Sequence, residues 1–163
     1  MTNSYRPHLL ILPEDDMNRQ LANGFLLEPS VQQRAVQVLP FAGGWPKVKK
    51  SFLETHISML RQYPDRHLIL LIDFDNKLEE RRQKFKGIIP DDVADRVYIL
   101  GTLTEPEDLP KECNGLSPEK IGEALAISCY GNEIGLWGNR LLQHNQEEID
   151  RLSKSVKPFL MAS

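Results

Sequence analysis

The chain has 163 residues, of which 40% are hydrophobic and 26% charged, and its formal net charge is −3 at pH 7. This length suits one domain with a substantial core, and the charge is unlike the strongly basic balance of a protein that coats nucleic acid. The two cysteines are too few for a disulfide framework or a four-thiolate zinc site. No apolar run reaches the roughly 20 residues of a membrane span, and residues 1–7 are polar. We therefore expect a single cytoplasmic domain over residues 1–163, with no contact to a membrane.

The first apolar run, HLLIL at residues 8–12, is bounded by prolines. A short continuous run of this kind predicts a strand that is buried on both faces. Asp15 or Asp16 can then cap a helix over residues 17–27, whose apolar residues recur at helical spacing. The chain thus begins with a strand followed by a helix.

The second apolar run, AVQVL at residues 35–39, predicts another strand. It leads into a turn that contains Gly43 and Gly44. Pro46 suits the first turn of a helix, which we expect to run to about residue 63. The strand and helix order is therefore repeated.

The clearest strand is HLILLI at residues 67–72, followed directly by Asp73 and Asp75. A charged stretch at residues 77–85 predicts a helix, and RVYIL at residues 96–100 predicts a fourth strand. The alternation of strands with helices indicates a mainly parallel sheet with right-handed crossovers.

The last third of the chain is predicted to be helical. One helix starts after the capping residue Ser117, and a last one starts after Asn145. The whole order predicts a three-layer α/β sandwich with a central, mainly parallel sheet of about four strands. We expect residues 8–110 to form its core and residues 111–163 to form a helical extension.

Acidic residues follow three of the four predicted strands. Asp73 and Asp75 come after the third strand, Glu14 after the first, and Glu105 and Glu107 after the fourth. The carboxyl ends of parallel strands meet at one edge of the sheet, where ligands bind in this class of fold. Gathered carboxylates repel one another unless a cation intervenes, and Mg²⁺ prefers such hard oxygen ligands. We therefore predict a Mg²⁺ or Mn²⁺ site at this edge.

Several of these residues also have a plain structural interpretation. Asp75 or Asn76 can cap the following helix, and Thr104 with Glu107 matches a capping box. The Gly43-Gly44 turn can approach a phosphate group or serve only as a turn.

Basic residues cluster near the same edge of the sheet, after the glycine turn and after the aspartate pair. Lys47 and Arg81 are the residues that we expect to contact a phosphate backbone. The alternative is that these clusters are solvated helix faces with acidic partners.

The pattern resembles the TOPRIM domain, a metal-binding module of topoisomerases, primases and nucleases of the overcoming-lysogenisation-defect type. Glu14 in LPEDD resembles the family's glutamate after the first strand, and Asp73 and Asp75 in LLIDFDN resemble its Asp-x-Asp after the third. Glu105 in TEPEDL is similar to a glutamate-rich stretch of the nuclease branch. The family usually has glycine where this chain has Asp15.

The resemblance implies a Mg²⁺- or Mn²⁺-dependent site that acts on nucleic-acid phosphodiesters, in DNA or RNA, as a nuclease. Asp73, Asp75 and Glu105 would hold the metal together with Glu14, which would also act as general acid or base. Gly43, Gly44, Lys47 and Arg81 would contact the substrate. A lone module of this size would work within a larger defence or repair complex or act as a small nuclease.

Two alternatives stand beside this interpretation. LLILPEDDMNRQLA also resembles the start of a response-regulator receiver domain, which implies metal binding by Asp15 and Asp16 and phosphorylation of Asp73. The other alternative is a catalytically inactive scaffold. In that case the helical last third could bind a protein partner or a second copy of the chain through its apolar residues (Leu125, Leu136, Trp137, Leu141, Leu142, Ile149 and Leu152), which an ordinary core would also contain.

Overall fold

A computed structural model describes residues 2–161 of the chain. Its four strands form one sheet in the order β2-β1-β3-β4, and every neighbouring pair is parallel. This confirms the predicted α/β class and the parallel sheet. The strands are β1 (His8–Pro13), β2 (Val36–Val38), β3 (Arg66–Asp73) and β4 (Val97–Thr102).

The helices cover both faces of the sheet, and they lie close to the positions that the sequence predicts. They are α1 (Asp16–Leu27), α2 (Trp45–Ser51), α3 (Ile57–Gln62), α4 (Leu78–Lys86), α5 (Asp108–Glu112), α6 (Pro118–Tyr130), α7 (Gln146–Ser155) and α8 (Lys157–Leu160). The single helix expected after Pro46 contains a π-helical turn, Phe52–His56, between α2 and α3. Short 3₁₀ turns occupy Gln33–Ala35, Ala94–Arg96, Gly135–Gly138 and Gln143–Asn145.

Two of the predicted helix starts are visible in the hydrogen bonds. Asp15 caps α1 by accepting a bond from the backbone N–H of Asn18, and Ser117 caps α6 by accepting one from that of Lys120. The predicted cap Asn145 directly precedes α7 but uses its side chain elsewhere. Its amide both accepts from the N–H and donates to the C=O of Gly101. Asn145 therefore ties the start of α7 to β4.

The central strands β1 and β3 are buried on both faces, so successive side chains pack alternately into two separate cores. On one face the sheet packs against α2, α3 and α4 (Leu10, Leu12, Leu68, Leu70 and Ile72 with Val48, Phe52, Leu60 and Phe85). On the other face it packs against α1, α6 and α8 (Leu9, Ile11 and Ile69 with Ala22, Ala126, Val156 and Leu160). Continuous apolar runs, rather than alternating ones, are what such a sheet requires.

The helical last third belongs to the same folded unit as the sheet, because α6, α7 and α8 cover one sheet face. Of the apolar residues proposed for a partner surface, Leu125, Leu141 and Leu142 are buried, and the other four are partly buried against the cores. The exposed large apolar residues of this region are instead Leu116, Ile127, Tyr130 and Ile134. Within the described residues, no helix combines the length and apolar character that crossing a membrane demands.

Candidate metal site at the sheet edge

Glu14 and Asp73 meet at the carboxyl ends of the two central strands. The backbone N–H of Glu14 donates to the C=O of Leu71 at 2.8 Å, which extends the pairing of β1 with β3 by one residue. The Glu14 carboxylate then turns back and accepts a 3.0 Å bond from the backbone N–H of Asp73. Both side chains are buried, at 8% and 6% exposure. Strand register therefore brings together two acids that are 59 positions apart in sequence.

The first turn of α1 adds two more polar groups to this pair. Asp15 is the capping residue of that helix, and Asn18 lies one turn further on. The Asn18 amide nitrogen donates to Oδ1 of Asp73 at 3.0 Å. Asn18 is fully buried, and its own Oδ1 has no hydrogen-bond partner within residues 2–161. A buried amide oxygen without a partner is costly, so this atom is available to a ligand or a water molecule.

The carboxyl groups of Glu14, Asp15 and Asp73 each offer one oxygen, and these oxygens lie within 4.8 Å of one another. Within residues 2–161 this is the one group of three or more such side chains close enough to share an ion. Carboxylate and amide oxygens are the donors that Mg²⁺ and Mn²⁺ prefer. The residues therefore fit a hard divalent cation, and Asn18 would add a neutral oxygen beside the three acids.

The electrostatics of the site favour a bound cation. Burial raises the pKa of Glu14 to about 7, and the nearby carboxylates of Asp15 and Asp75 add to the increase. Burial, followed by the charge of Glu14, raises the pKa of Asp73 further still. The pair therefore retains protons at pH values where exposed carboxylates are ionised. A divalent cation in the group would offset the repulsion between the ionised carboxylates and displace the protons.

Asp75 lies beside the group but does not join it. Asp75 and Asn76 both have positive φ angles, 49° and 59°, so the chain turns sharply after β3. The Asp75 carboxylate then faces the buried Arg81 at 3.4 Å. The expected cap by Asp75 or Asn76 does not form, since α4 begins without a side-chain cap.

The buried Arg81 side chain stabilises the turn after β3. It donates to the C=O of Asp73 at 3.2 Å, and its guanidinium lies 4.7 Å above the centre of the Trp45 ring. Its positive charge also offsets part of the increase in the pKa of Glu14. A cation this well packed holds Asp73 and Asp75 in place. The expected contact of Arg81 with a phosphate backbone stays a prediction.

The glycine turn supports the site through its backbone. The N–H groups of Gly43 and Gly44 donate to the C=O of Glu14 at 2.8 and 3.1 Å, so these donors are already used. Both glycines have φ angles that other residues rarely adopt, +96° and +124°. Lys47 is exposed and folds back so that its amine lies close to Gly43. Of the predicted substrate contacts, Gly43 and Lys47 are exposed, and Lys47 is the one with a charged side chain at the surface.

The loop after β4 stays outside the group. Glu105 and Glu107 are exposed, and neither belongs to the set of oxygens that could share an ion. The expected capping box is replaced by a bond from the Thr104 hydroxyl to the carboxylate of Asp108 at 2.7 Å. Asp16, the second metal-binding acid of the receiver-like alternative, instead binds Arg19 and Gln20 at the surface.

Sequence reasoning thus placed Glu14 and Asp73 correctly at one edge but missed Asn18 as part of the site. The available signal was spacing, because Asn18 follows Glu14 by four residues and lies on the first turn of a helix capped by Asp15. The fold and site together define a parallel α/β protein with a buried acidic centre at its carboxyl edge. Searches for a matching family model, for similar curated proteins and for similar solved structures returned no match.

Proposed function

We propose that this chain is a Mg²⁺- or Mn²⁺-dependent, TOPRIM-like module that cleaves nucleic-acid phosphodiesters. The observation that carries the proposal is the buried pair of Glu14 and Asp73, whose carboxylate oxygens lie within 4.8 Å of one another and of Asp15. Asp73 also accepts from the amide of Asn18, the oxygen of which has no hydrogen-bond partner within residues 2–161. Bound metal would polarise a phosphoryl oxygen and orient the attacking water. We propose further that the module works on DNA or RNA in a defence or repair complex.

The surroundings of each residue indicate the role that we propose for it. Asp73 and Asp15 lie at the strand end and the helix start, and they would hold the ion together with the amide oxygen of Asn18. Glu14 has a pKa of about 7, which suits a group that accepts and returns a proton near neutral pH. Lys47 is exposed beside the glycine turn and would contact a substrate phosphate.

The test is nicking of supercoiled DNA, and of a labelled RNA strand, with Mg²⁺ or Mn²⁺. The wild type should cleave at least one substrate, and Asp73→Asn and Glu14→Gln should each lower the rate by about 100-fold or more. Glu105→Gln is the matched control, because Glu105 is an exposed acid near the same edge but outside the group. Equal rates in Asp73→Asn and Glu105→Gln would sink the proposal.

The receiver-like alternative is favoured by one observation, the position of Asp15 beside Asp73. In that case Asp15 would bind the metal and Asp73 would accept a phosphoryl group. Acetyl phosphate with Mg²⁺ would then add one phosphoryl group to the wild type and none to Asp73→Asn, as seen by intact-protein mass spectrometry. The nuclease proposal expects no such adduct.

A further inference from the structure

A cavity of about 120 Å³ lies between the sheet and its second helical layer. Its floor includes Ile11, Ile69 and Leu100, which point from the three neighbouring strands toward α1, α6 and α7. Its walls include Phe25 of α1, Leu125 of α6 and Leu152 of α7. None of Glu14, Asp15 or Asp73 lines it, so the cavity is separate from the acidic centre.

The close contact between α1 and α6 explains why this space is left open. A side chain at Gly122 would place its Cβ 2.0 Å from the C=O of Leu21, and one at Gly24 would meet the backbone of Glu119 at the same distance. The two helices therefore touch through their backbones and small residues. Gly122 and Ala22 both line the cavity, so the residues that permit the helix contact also leave volume unfilled above the sheet.

The lining selects for an apolar occupant. Most of its residues are apolar, and two of its polar groups have partners already: the amide of Asn145 is used on Gly101, and the amine of Lys157 donates to the C=O of Tyr130 and to Asn132. A buried water molecule needs two to four polar partners, and a lining made mainly of aliphatic side chains offers few. A dry apolar cavity of about 150 Å³ is large enough to bind benzene or xenon.

We propose that this cavity is a binding site for one small, neutral, apolar molecule, of the size of an aromatic ring or a short alkyl chain. The site is independent of the proposed metal chemistry, because it shares no residue with the acidic centre. Its occupant would contact α1, α6, α7 and the sheet at once. Binding would therefore stabilise the helical layer on the sheet.

Benzene, with hexanoate as a charged comparison, is the probe for the wild type. In methyl NMR spectra, benzene should shift the signals of Ile11, Ile69 and Leu125, while those of Val48 and Leu60 on the opposite face stay in place. Benzene should also raise Tm, since a ligand that binds only the folded state stabilises it. Hexanoate should bind at least tenfold more weakly, because the lining is mainly apolar and the amine of Lys157, its one cationic group, already donates to Tyr130 and Asn132.

Two variants fill the cavity, Leu152→Phe and Ala22→Leu, and Ile57→Leu on the opposite face is the matched control. The filled variants should weaken benzene binding by at least tenfold, whereas the control should bind as the wild type does. The proposal is overturned if benzene leaves the wild-type methyl signals of the cavity unchanged. It is also overturned if benzene shifts the methyl signals of both sheet faces alike. Both outcomes are measured on the wild type, so neither depends on whether a variant folds.

Discussion

The protonation state of Glu14 decides how stable the acidic centre is without a metal. Its carboxylate accepts the backbone N–H of Asp73, yet burial, together with the charges of Asp15 and Asp75, makes its ionised form costly. A neutral side chain that keeps the acceptor oxygen would retain the bond and remove the charge. The fold therefore carries a local destabilisation at this position, as is common at functional sites.

We expect Glu14→Gln to raise the free energy of unfolding of the metal-free protein at pH 8 by about 1–2 kcal/mol, because it removes a buried charge from a like-charged group. Urea denaturation with EDTA present measures the change. Glu105→Gln, which alters an exposed acid, should leave the free energy of unfolding within about 0.5 kcal/mol of the wild type. A less stable Glu14→Gln protein would show that the ionised carboxylate supports the fold.

Asn18 offers a second test at the scale of one side chain. Its amide nitrogen donates to Asp73, and its oxygen is buried with no hydrogen-bond partner in the part of the chain that the structure describes. We expect Asn18→Leu, of similar volume, to weaken Mn²⁺ binding about tenfold or more in titration calorimetry, because the site loses an oxygen ligand and a bond to Asp73. Mn²⁺ affinity equal to that of the wild type would place the ion away from Asn18.

The elements were largely predictable, and the reasons are visible in β1, β3 and α6. Continuous apolar runs of four to six residues predict strands that are buried on both faces, and Ser117-Pro118 marks a helix start. Glu14 and Asp73 could be placed together because parallel strands end at one edge. Asp75 could not, because its direction depends on two positive φ angles and on Arg81, six residues further on.

The contact between α1 and α6 is the element-scale feature that the sequence did not reveal. It depends on the relative placement of Gly24 and Gly122, which lie in separate helices almost a hundred positions apart. Spacing within either helix carries no sign of the partner. The same limit explains why the apolar cavity beside this contact could not be anticipated.

We expect Gly122→Ala to lower the free energy of unfolding by about 2–4 kcal/mol, because its Cβ would lie 2.0 Å from the C=O of Leu21 and would force the helices apart. Thermal denaturation followed by circular dichroism measures this. Gly131→Ala is the matched control, since a Cβ at that helix end meets its nearest atom at 3.5 Å. Equal loss in both variants would mean that the helix contact is not tight.

The pH dependence of stability belongs to the whole molecule, because two groups of buried residues act with opposite sign. The folded state binds protons on Glu14 and Asp73 more tightly than the unfolded chain does, so their contribution to stability falls as pH rises from 4.5 through 7 and beyond. Burial lowers the pKa values of the histidines, to about 4 for His67. Their contribution is therefore lost as pH falls below 6.5 (His8, His56, His67 and His144).

In EDTA, we expect wild-type stability to decline between about pH 7 and pH 9, and this decline to be absent from a Glu14→Gln, Asp73→Asn double variant. Between about pH 6.5 and 4.5, the double variant should lose stability more steeply than the wild type, because only the histidines then titrate. Urea denaturation at a series of pH values measures both slopes. Parallel curves for the two proteins would show that the acidic pair does not hold extra protons.

The position of the acidic centre also has a consequence for the order of events during folding. Its two buried acids follow β1 and end β3. The chain between these strands, which contains β2 and the helices α1, α2 and α3, must therefore be closed into a long loop before the acids can meet. Closing such a long loop is slow compared with forming a helix or a local strand pair. We therefore expect a partly folded chain to lack the centre altogether. In refolding experiments, Mn²⁺ capture should appear in the slowest kinetic phase and after helix formation, so the ion would report completion of the native topology.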